Sequence, residues 1–379
     1  MITGGGSSHC PTCTCRKKAL IINGDDDRFS ELPDHLLRSI LSLLDSKLAV
    51  QTCALSPRWR SVWKGVPALN LDTKSFNDTD EFDQFVSEFI SRRHDSAPIH
   101  EISIEKDTNR DGRRIEYDIN ESCGELFAYA ASHGIRRLRA VEVLVDGFSY
   151  YVYDQGFLPL APGFRMLTTL HLQRTKLFCP EPLVEPFSGF PNLRDLTLKD
   201  CYWANDEWDG EDRDICLRIC GNQLLNLRIE GSDDDVSMVE IFAPNLESFV
   251  SYETYQSPDF GEFDLPSLDR VYVGFRAYGF TDGRDYRFAT HLVNLLRRLH
   301  RASTLVLNYD TVEVLVRYPS LLVVLSPFTQ LRILILETEP FDVSHMKSFF
   351  FGNPKNKGNK STKFKDSSLV SCNDPIKGE

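Results

Sequence analysis

The chain has 379 residues, of which 41% are hydrophobic and 26% are charged. This is the composition of an ordinary soluble globular protein, and the length allows about two to three domains or one long repeat array. Acidic side chains outnumber basic ones by 55 to 43, which gives a formal net charge of −12. Such a charge argues against broad attraction to nucleic acid or to anionic membranes, so we expect another protein as the partner.

The sequence offers no segment for a membrane or for secretion. Residues 318–331 form the longest stretch without a charged side chain, and Pro319 and Pro327 interrupt it. A membrane-spanning helix needs about 20 apolar residues. No basic segment followed by an apolar one stands at the N-terminus, so we expect an intracellular protein, in the nucleus and/or the cytoplasm. The ten cysteines then predict reduced thiols and not a disulfide framework.

The two ends of the chain have the composition of unfolded segments. Residues 1–27 are rich in Gly and Ser, then basic, then acidic, and residues 352–379 combine several lysines with Asn, Ser and Gly. We predict that both ranges are disordered tails. The range 9–15 holds one histidine and three cysteines, but a structural zinc site usually takes its ligands from two separated pairs. No second pair is evident, and we predict no metal site.

Between residues 28 and 64 the apolar residues have helical spacing in three short segments. The first helix is predicted to begin near Pro33 and to end near Asp45, the second follows Ser46, and the third opens with Pro57 at its first position. Helices this short cannot bury their own Leu and Trp side chains, so another surface must cover them. That surface is either a partner protein or the rest of this chain.

The same region carries a motif. Residues 28–37 read Arg-Phe-Ser-Glu-Leu-Pro-Asp-His-Leu-Leu, residues 40–44 read Ile-Leu-Ser-Leu-Leu, and residues 55–63 read Leu-Ser-Pro-Arg-Trp-Arg-Ser-Val-Trp. In this order and spacing they resemble the F-box of plant F-box proteins. One departure is Pro57, where the family more often has Lys, and a proline is well tolerated at the first position of a helix.

The resemblance implies a partner and a contact surface. F-boxes dock onto the Skp-type adaptor of an SCF-type E3 ubiquitin ligase, and through it onto a cullin. Position by position, the resemblance assigns the adaptor contact to Leu32, Pro33, Leu36, Leu37, Ile40, Leu41, Trp59 and Trp63. The two tryptophans would share this role with packing inside the module, and the sequence does not separate the two roles.

After residue 64 a pattern of three apolar residues recurs. Three positions separate the first apolar residue from the second, and two positions separate the second from the third. Each instance predicts one short strand per repeat. The instances are Val66-Leu69-Leu71, Ile99-Ile102-Ile104, Leu138-Val141-Val143, Leu167-Leu170-Leu172, Leu193-Leu196-Leu198, Leu224-Leu227-Ile229, Leu246-Phe249-Ser251, Leu268-Val271-Val273, Ala302-Leu305-Leu307 and Leu331-Leu334-Leu336. One such unit cannot bury its apolar row alone, so neighbouring units should stack. The alternative is a generic α/β domain with scattered Leu-rich strands.

An F-box followed by such repeats resembles the plant F-box/leucine-rich-repeat family over most of the chain. The implied fold class is α/β, with a small N-terminal three-helix F-box at 28–64 followed by a leucine-rich-repeat solenoid at 65–351. Many relatives carry a further segment, the FBD region, whereas here the sequence after Phe351 runs straight into the Lys-rich range. We expect that segment to be absent or truncated. This leaves open what caps the last repeat, whose outward Ile333 and Ile335 are apolar.

Residues that alternate with the core positions should line one exposed face of the repeats. Among them, Arg228, Tyr252, Arg270 and Tyr272 are of the types that dominate protein interfaces, so we predict that they bind a target protein. The alternative for each is an ordinary solvated strand face. The acidic insertion at 205–212 is predicted to be a solvated loop, because its spacing is not that of an EF-hand.

No motif in the sequence favours catalysis or a cofactor. The signatures of dinucleotide, phosphate, serine-hydrolase and zinc-protease sites do not occur, and His171 and Cys201 are predicted to be structural. We therefore predict a non-catalytic protein without a cofactor. The first hypothesis is a ligase subunit whose repeats bind a target for ubiquitination. The second is a repeat scaffold or inhibitor not engaged with a ligase, and an enzyme ranks last.

Overall fold

A computed structural model describes residues 31–105, 109–110, 113–114, 120–141, 144–145, 164–178, 183–204, 215–231, 236–253, 259–275, 284–323, 327–338, 344–352 and 361–364. The predicted N-terminal tail with its His/Cys cluster and the acidic insertion lie outside these residues. The chain folds as two compact units, one of residues 1–147 and 154–167 and the other of residues 148–153 and 168–379. The first unit thus holds the three helices together with the first predicted strands, whereas the sequence placed a domain boundary between them.

Three short helices open the first unit, as the sequence predicts. Helix α1 spans Asp34–Leu41, α2 spans Ser46–Gln51 and α3 spans Trp59–Val62. Two 3-10 turns, at Thr52–Ala54 and Trp63–Gly65, follow α2 and α3.

Side-chain hydrogen bonds fix where these helices begin. Asp45 caps α2 by accepting bonds from two backbone N–H groups of its first turn, at 2.9 and 3.3 Å. The third helix begins at Trp59, so the prediction of a start at Pro57 is wrong by two residues. Residues 57–58 form a turn instead. Here Arg58 donates from its guanidinium to Asp34 at 3.0 and 2.6 Å, which ties the turn to the start of α1.

Parallel strands and two further helices complete the described part of the first unit. Strand β1 (Ala68–Asp72) pairs with β2 (Glu101–Glu105), and β2 pairs with β5 (Arg137–Val141). Helices α4 (Thr79–Arg92) and α5 (Asn120–Ser132) contact each other. The remaining elements are a 3-10 turn at Thr73–Ser75 and the short strands β3 (Asn109–Arg110), β4 (Arg113–Arg114) and β6 (Leu144–Val145).

The third predicted strand is displaced along the chain. In β5, Leu138 lies opposite Ile102 and Ala140 lies opposite Ile104. Because side chains alternate along a strand, the apolar row therefore continues from Leu138 to Ala140 and not to Val141 and Val143 as predicted. The core position opposite Ile104 is therefore occupied by a small alanine, which is fully buried. Val143 lies outside the described residues.

A ladder of parallel strands forms the second unit. Its members, each hydrogen-bonded to the next, are β7 (Thr169–Gln173), β10 (Asp195–Lys199), β13 (Asn226–Glu230), β15 (Ser248–Glu253), β17 (Arg270–Phe275), β18 (Thr304–Leu307), β19 (Ile333–Leu336) and β20 (Ser361–Phe364). All the strands predicted in this region are present. Their middle apolar residues are in register, so that Leu196 lies between Leu170 and Leu227, and Val271 lies between Phe249 and Leu305.

A second layer covers the leucine side of the ladder. It begins as a parallel sheet of β9 (Leu183–Val184), β12 (Ile215–Cys220), β14 (Val236–Phe242) and β16 (Asp259–Asp264). Strands β8 (Lys176–Phe178) and β11 (Tyr202–Ala204) also pair in parallel. Phe249 of the ladder and Phe263 of this sheet are in ring contact at 6.2 Å. After β17 in the chain, the connections between ladder strands contain helices instead of strands. These are α6 (Arg284–Arg298), α7 (Tyr309–Arg317), the 3-10 turn Pro319–Leu322 and α8 (Ser344–Phe351).

The same turn follows three successive strands of the ladder. Arg174, Asp200 and Gly231, each the first residue after its strand, have positive φ angles of 47°, 48° and 62°. The backbone N–H of each donates to a carbonyl at the end of the next strand, at 2.8, 2.6 and 2.8 Å. Thr175 and Cys201, which come next in the chain, are both buried. The repeated pattern in the sequence therefore corresponds to a repeated backbone conformation.

The Lys-rich C-terminal range contains a strand. Residues 352–379 are predicted to be disordered, and this is wrong for Ser361–Phe364, which pairs in parallel with β19. The edge of β19 would otherwise leave backbone N–H and C=O groups unpaired beside apolar side chains. Thr362 and Phe364 are half-buried, whereas Ser361 and Lys363 are exposed. Four residues with this alternation suffice to extend the ladder.

Candidate functional site

The eight predicted adaptor contacts divide into two sets in the structure. Pro33, Leu36 and Ile40 are exposed and Leu32 is half-buried. The other four, at most 7% exposed, are buried inside the first unit: Leu37, Leu41, Trp59 and Trp63. The resemblance assigned all eight residues to one contact surface, whereas the structure shows that only four of them are accessible.

Burial of the second set follows from contacts with the rest of the first unit. The ring of Trp63 packs against Phe89 of α4 at a centroid distance of 5.3 Å. On α1, Leu37 and Leu41 are one turn apart and point inward, while Leu36 and Ile40 are one turn apart on the other side. The rest of the chain thus covers one stripe of α1, which is one of the two alternatives left open by the sequence, and it leaves another stripe exposed.

Three further exposed leucines were not predicted as contacts. Leu43 is 83% exposed, Leu48 is 53% exposed and Leu55 is 68% exposed. Leu43 lies between α1 and α2, Leu48 lies on α2, and Leu55 lies between α2 and α3. The resemblance did not assign any of them to the adaptor contact. Together with Leu36 and Ile40, they are the large exposed apolar residues among residues 31–64. The signal that could have found them is a second set of apolar residues beyond the number needed to cover one helix face.

Helix α2, which carries Leu48, is fixed to the 3-10 turn at Thr73–Ser75 and to α4 by polar contacts of Lys47. Lys47 donates to the carbonyl oxygen of Ser75 at 2.6 Å and to Glu81 at 2.7 Å, and its ammonium lies 4.5 Å from the ring centre of Phe76. The hydrogen bond from Lys47 lowers the pKa of the Glu81 carboxyl. Burial raises the pKa of Asp45, the cap of α2. Helix α2, which carries the exposed Leu48, is therefore held to Ser75 and to Glu81 of α4.

The four predicted target contacts lie on one face of the ladder in the second unit. This face, which we call the non-core face, carries the side chains that alternate with the buried leucines. Arg228 lies opposite Val250, which lies opposite Tyr272, and Arg270 stands two residues before Tyr272. Arg270 is exposed, and Arg228 and Tyr252 are half-buried.

Tyr272 differs from the other three because it is only 6% exposed. It belongs to an apolar cluster with Val250 and Val306, against which Tyr252 and Ile335 pack. Its hydroxyl donates to the buried carboxylate of Glu337 at 3.1 Å. The prediction that Tyr272 offers its side chain to a partner is therefore wrong, because the ring and the hydroxyl are both used inside the protein.

A glycine makes this arrangement possible. A Cβ atom at Gly274 would come within 2.7 Å of a ring carbon of Tyr272 and closer still to the ring of Tyr252. Both tyrosine rings therefore lie over the backbone at Gly274, where no side chain competes for the space. The half-buried Tyr252 forms the outer part of this apolar cluster.

The charges of the non-core face are paired on one side of the cluster. Glu230 binds both Arg228 and Lys199, the latter at 3.5 Å. Asp195 accepts from Asn226 at 2.6 Å. Near the cluster itself, among the described residues, Arg270 and Lys363 are in no ion pair.

The residues that were considered for catalysis have structural positions. Cys201 is buried, its thiol donates to the carbonyl oxygen of Leu172 at 3.5 Å, and burial raises its pKa to about 11. Such a thiol is not a nucleophile at neutral pH. His171 lies on β7 opposite Thr197. Within the described ranges, no three His, Cys, Asp or Glu side chains are grouped to hold a metal ion, and no helix is long and apolar enough to cross a membrane.

Comparison with known proteins agrees with the motif at the N-terminus. Residues 29–70 match the F-box domain family. An F-box/FBD/LRR-repeat protein of Arabidopsis thaliana is 34% identical over 189 residues, which cover 45% of this chain and 41% of that protein. A putative FBD-associated F-box protein of the same plant is 33% identical over 65% of this chain and 61% of its own length.

Longer alignments are found at lower identity. An F-box protein of Arabidopsis thaliana is 25% identical over 330 residues, which cover 80% of this chain and 76% of that protein. The matched part of the chain nevertheless spans less than half the length of the first two relatives, 41% and 43%. The F-box at residues 29–70 and these relatives together confirm the resemblance read from the sequence: the chain contains an F-box domain and is similar to plant F-box/LRR-repeat proteins.

Proposed function

We propose that this chain is the substrate-recognition subunit of an SCF-type E3 ubiquitin ligase. Its F-box binds a Skp-type adaptor, and through the adaptor a cullin, while the ladder binds a target protein for ubiquitination. The chain acts by proximity, because holding the target raises the effective concentration of its lysines near the conjugating enzyme. Transfer of ubiquitin is then performed by other subunits, in the nucleus or the cytoplasm.

One observation carries the adaptor part of this proposal. Leu36, Ile40, Leu43, Leu48 and Leu55 are all exposed within the matched F-box region, and the most exposed of them, Leu43, is 83% accessible. Exposed leucines in such density mark an interaction site, because each isolated apolar side chain left in water costs free energy that a partner can recover.

The structure supports a division of labour among the predicted adaptor residues. Leu32, Pro33, Leu36 and Ile40 can touch the adaptor directly, together with the newly found Leu43, Leu48 and Leu55. The buried Leu37, Leu41, Trp59 and Trp63 are positioning residues that hold the exposed set in place. Substitution of the first set should weaken capture without unfolding, whereas substitution of the second should do both.

For the ladder, we propose a leucine-rich-repeat array. Recurrent parallel strands with apolar residues in register support it, as do the repeated left-handed turns at Arg174, Asp200 and Gly231 and the names of the relatives. The target would bind the non-core face through Arg228, Tyr252 and Arg270, which are accessible. Tyr272 would support this surface from beneath.

Capture of the full chain by a purified Skp-type adaptor tests the proposal. Leu36→Asp with Ile40→Asp, and separately Leu43→Asp with Leu55→Asp, should each abolish capture while the unfolding midpoint changes little. Val323→Asp is the matched control, because Val323 is a large apolar residue that is 81% exposed in the second unit, far along the chain from the F-box. That variant should be captured like the wild type.

Undiminished capture by both double variants would defeat the proposed contact surface. No capture of the wild-type chain, under conditions in which a known F-box protein is captured, would favour the second hypothesis, a repeat scaffold or inhibitor outside any ligase. Capture together with ubiquitination of a bound target in a reconstituted reaction would establish the full function.

A further inference from the structure

We propose that the non-core face at β15–β20 binds an extended peptide segment in which acidic residues flank a large apolar residue. This rests on the proposed function in that the segment belongs to the target protein. The proposed site lies in the second unit and not in the F-box. It consists of an apolar centre bordered by two cations that are in no ion pair among the described residues.

The apolar centre is built in layers. Val250, Tyr272 and Val306 form a buried floor on three neighbouring strands. Tyr252 and Ile335 pack against it and remain half-exposed. An apolar side chain of a partner can cover Ile335, which lies between Arg270 and Lys363 on the face, without displacing the floor. Aromatic and aliphatic groups in such a setting are frequent hot spots of protein interfaces.

The border of this centre is positively charged. Arg270 precedes the floor on β17, and Lys363 lies opposite Ile335 on β20. Both side chains are exposed. In the part of the chain that the structure describes, neither is in a hydrogen bond or ion pair through its side chain, whereas Arg228 and Lys199 share the carboxylate of Glu230.

The acidic groups of this face are already engaged. Besides Glu230, Asp195 accepts from Asn226, and the buried Glu337 accepts from Tyr272. The described face therefore carries two exposed cations, Arg270 and Lys363, and one buried carboxylate, Glu337, near the apolar centre, in a chain whose net charge is −12. Charge complementarity then selects a partner segment with carboxylates over one with lysines or arginines.

The register sets the spacing of the acidic residues. Arg270 and Lys363 are three strands and two residues apart. With about 4.8 Å between strands and 3.3 Å per residue, the two Cα atoms are separated by about 16 Å. An extended peptide covers this distance with about five residues. The expected motif therefore has two acidic residues about five positions apart, with a Leu, Ile, Phe or Tyr between them.

Selection of peptides on the purified full chain tests this proposal. From a displayed library of random peptides, the wild type should enrich sequences with an excess of Asp and Glu around one large apolar residue. A fluorescein-labelled enriched peptide should lose about tenfold or more in affinity when Arg270→Glu is combined with Lys363→Glu, and its affinity should fall as salt is added. The same peptide with lysines in place of its acidic residues should bind the double variant better than the wild type.

Arg301→Glu is the matched control, because Arg301 is an exposed arginine in the turn after α6 and not on the non-core face. It should leave peptide affinity unchanged. Enrichment of peptides without an acidic excess, no enrichment at all, or equal affinity for wild type and double variant would overturn the proposal.

Adaptor capture, measured on the same proteins, separates the two proposals. Wild-type peptide binding with no adaptor capture would reject the ligase function and keep the peptide site. Adaptor capture without peptide selectivity would do the reverse.

Discussion

Asn70 on β1 donates from its side-chain amide to the carbonyl oxygen of Ser42, in the turn after α1, at 2.8 Å. The same amide donates to the carbonyl oxygen of Leu44 at 3.0 Å, and the backbone N–H of Asn70 donates to the hydroxyl of Ser46 at 3.0 Å. One residue of the first strand thus holds the turn from which Leu43 projects. The F-box and the first strand are therefore one folding unit.

Replacing this amide should loosen the F-box. Asn70→Ala removes two hydrogen bonds and leaves two backbone carbonyls without these donors, so we expect the free energy of unfolding to fall by about 1–3 kcal/mol. Urea unfolding followed by circular dichroism measures this. Asn245→Ala is the control, since Asn245 is exposed and makes one side-chain bond, to the carbonyl of Asn222. An equal or smaller loss for Asn70→Ala than for Asn245→Ala would contradict the role given to Asn70.

The pair of Lys47 and Glu81 should make stability depend on acid pH. The pKa of Glu81 is lowered by Lys47 from its ordinary value of 4.5, so the folded state binds protons less readily than the unfolded chain. The stabilisation is complete above pH 4.5 and is lost as the pH falls through the lowered pKa of the folded state.

Glu81→Gln should remove this part of the pH dependence, as measured by urea unfolding at a series of acid pH values. Asp45, whose pKa is raised, acts in the opposite direction and is present in both proteins. Glu313→Gln, which changes an exposed helical pair with Arg317, should leave the profile unaltered. Identical profiles for Glu81→Gln and the wild type would contradict the assignment.

The left-handed turn after β13 places Gly231 against the side chain of Asp200, where an added methyl group should be destabilising. Gly231 has a φ of 62°, and a Cβ there would collide with the side chain of Asp200. We expect Gly231→Ala to lower the free energy of unfolding by more than the about 1–2 kcal/mol that a left-handed conformation costs an L-residue. Gly134→Ala isolates that cost, because Gly134 has a φ of 77° and nothing within 4 Å of the added methyl. A larger loss at Gly134 than at Gly231 would refute the clash.

The supporting role of Tyr272 can be distinguished from a contact role. Tyr272→Phe keeps the ring and removes the bond to the buried Glu337, so we expect a loss of about 1–3 kcal/mol in unfolding free energy. Peptide binding on the non-core face should change little, because the hydroxyl does not face a partner. Tyr309→Phe, at an exposed tyrosine, should be neutral in both measurements. A stable Tyr272→Phe variant with weakened peptide binding would restore the original interpretation.

Much of this architecture could be predicted because it depends on local patterns. The alternation of apolar residues located the strands of the second unit, since a half-buried strand allows few other patterns. The three helices of the F-box could be predicted for a similar reason, because their Leu and Trp residues recur at helical spacing. Failures occurred where the pattern carried little information. Ala140 is small enough to be overlooked as a core residue. Ser361–Phe364 has the composition of a loop but pairs with the edge of β19.

The sequence by itself determined which residues are apolar, their periods, and hence the F-box and the strands. Only the tertiary structure decided which apolar residues stay exposed. Leu36 and Leu37 are neighbours of identical chemistry, yet one is exposed and the other is buried. Likewise, Tyr252 and Tyr272 cannot be distinguished by their positions in the strand pattern. The hydroxyl of Tyr272 is bound inside the protein by Glu337, which lies 65 residues further along the chain. Exposure depends on contacts between distant segments, which no local pattern encodes, and these contacts separate residues that hold a surface from residues that form it.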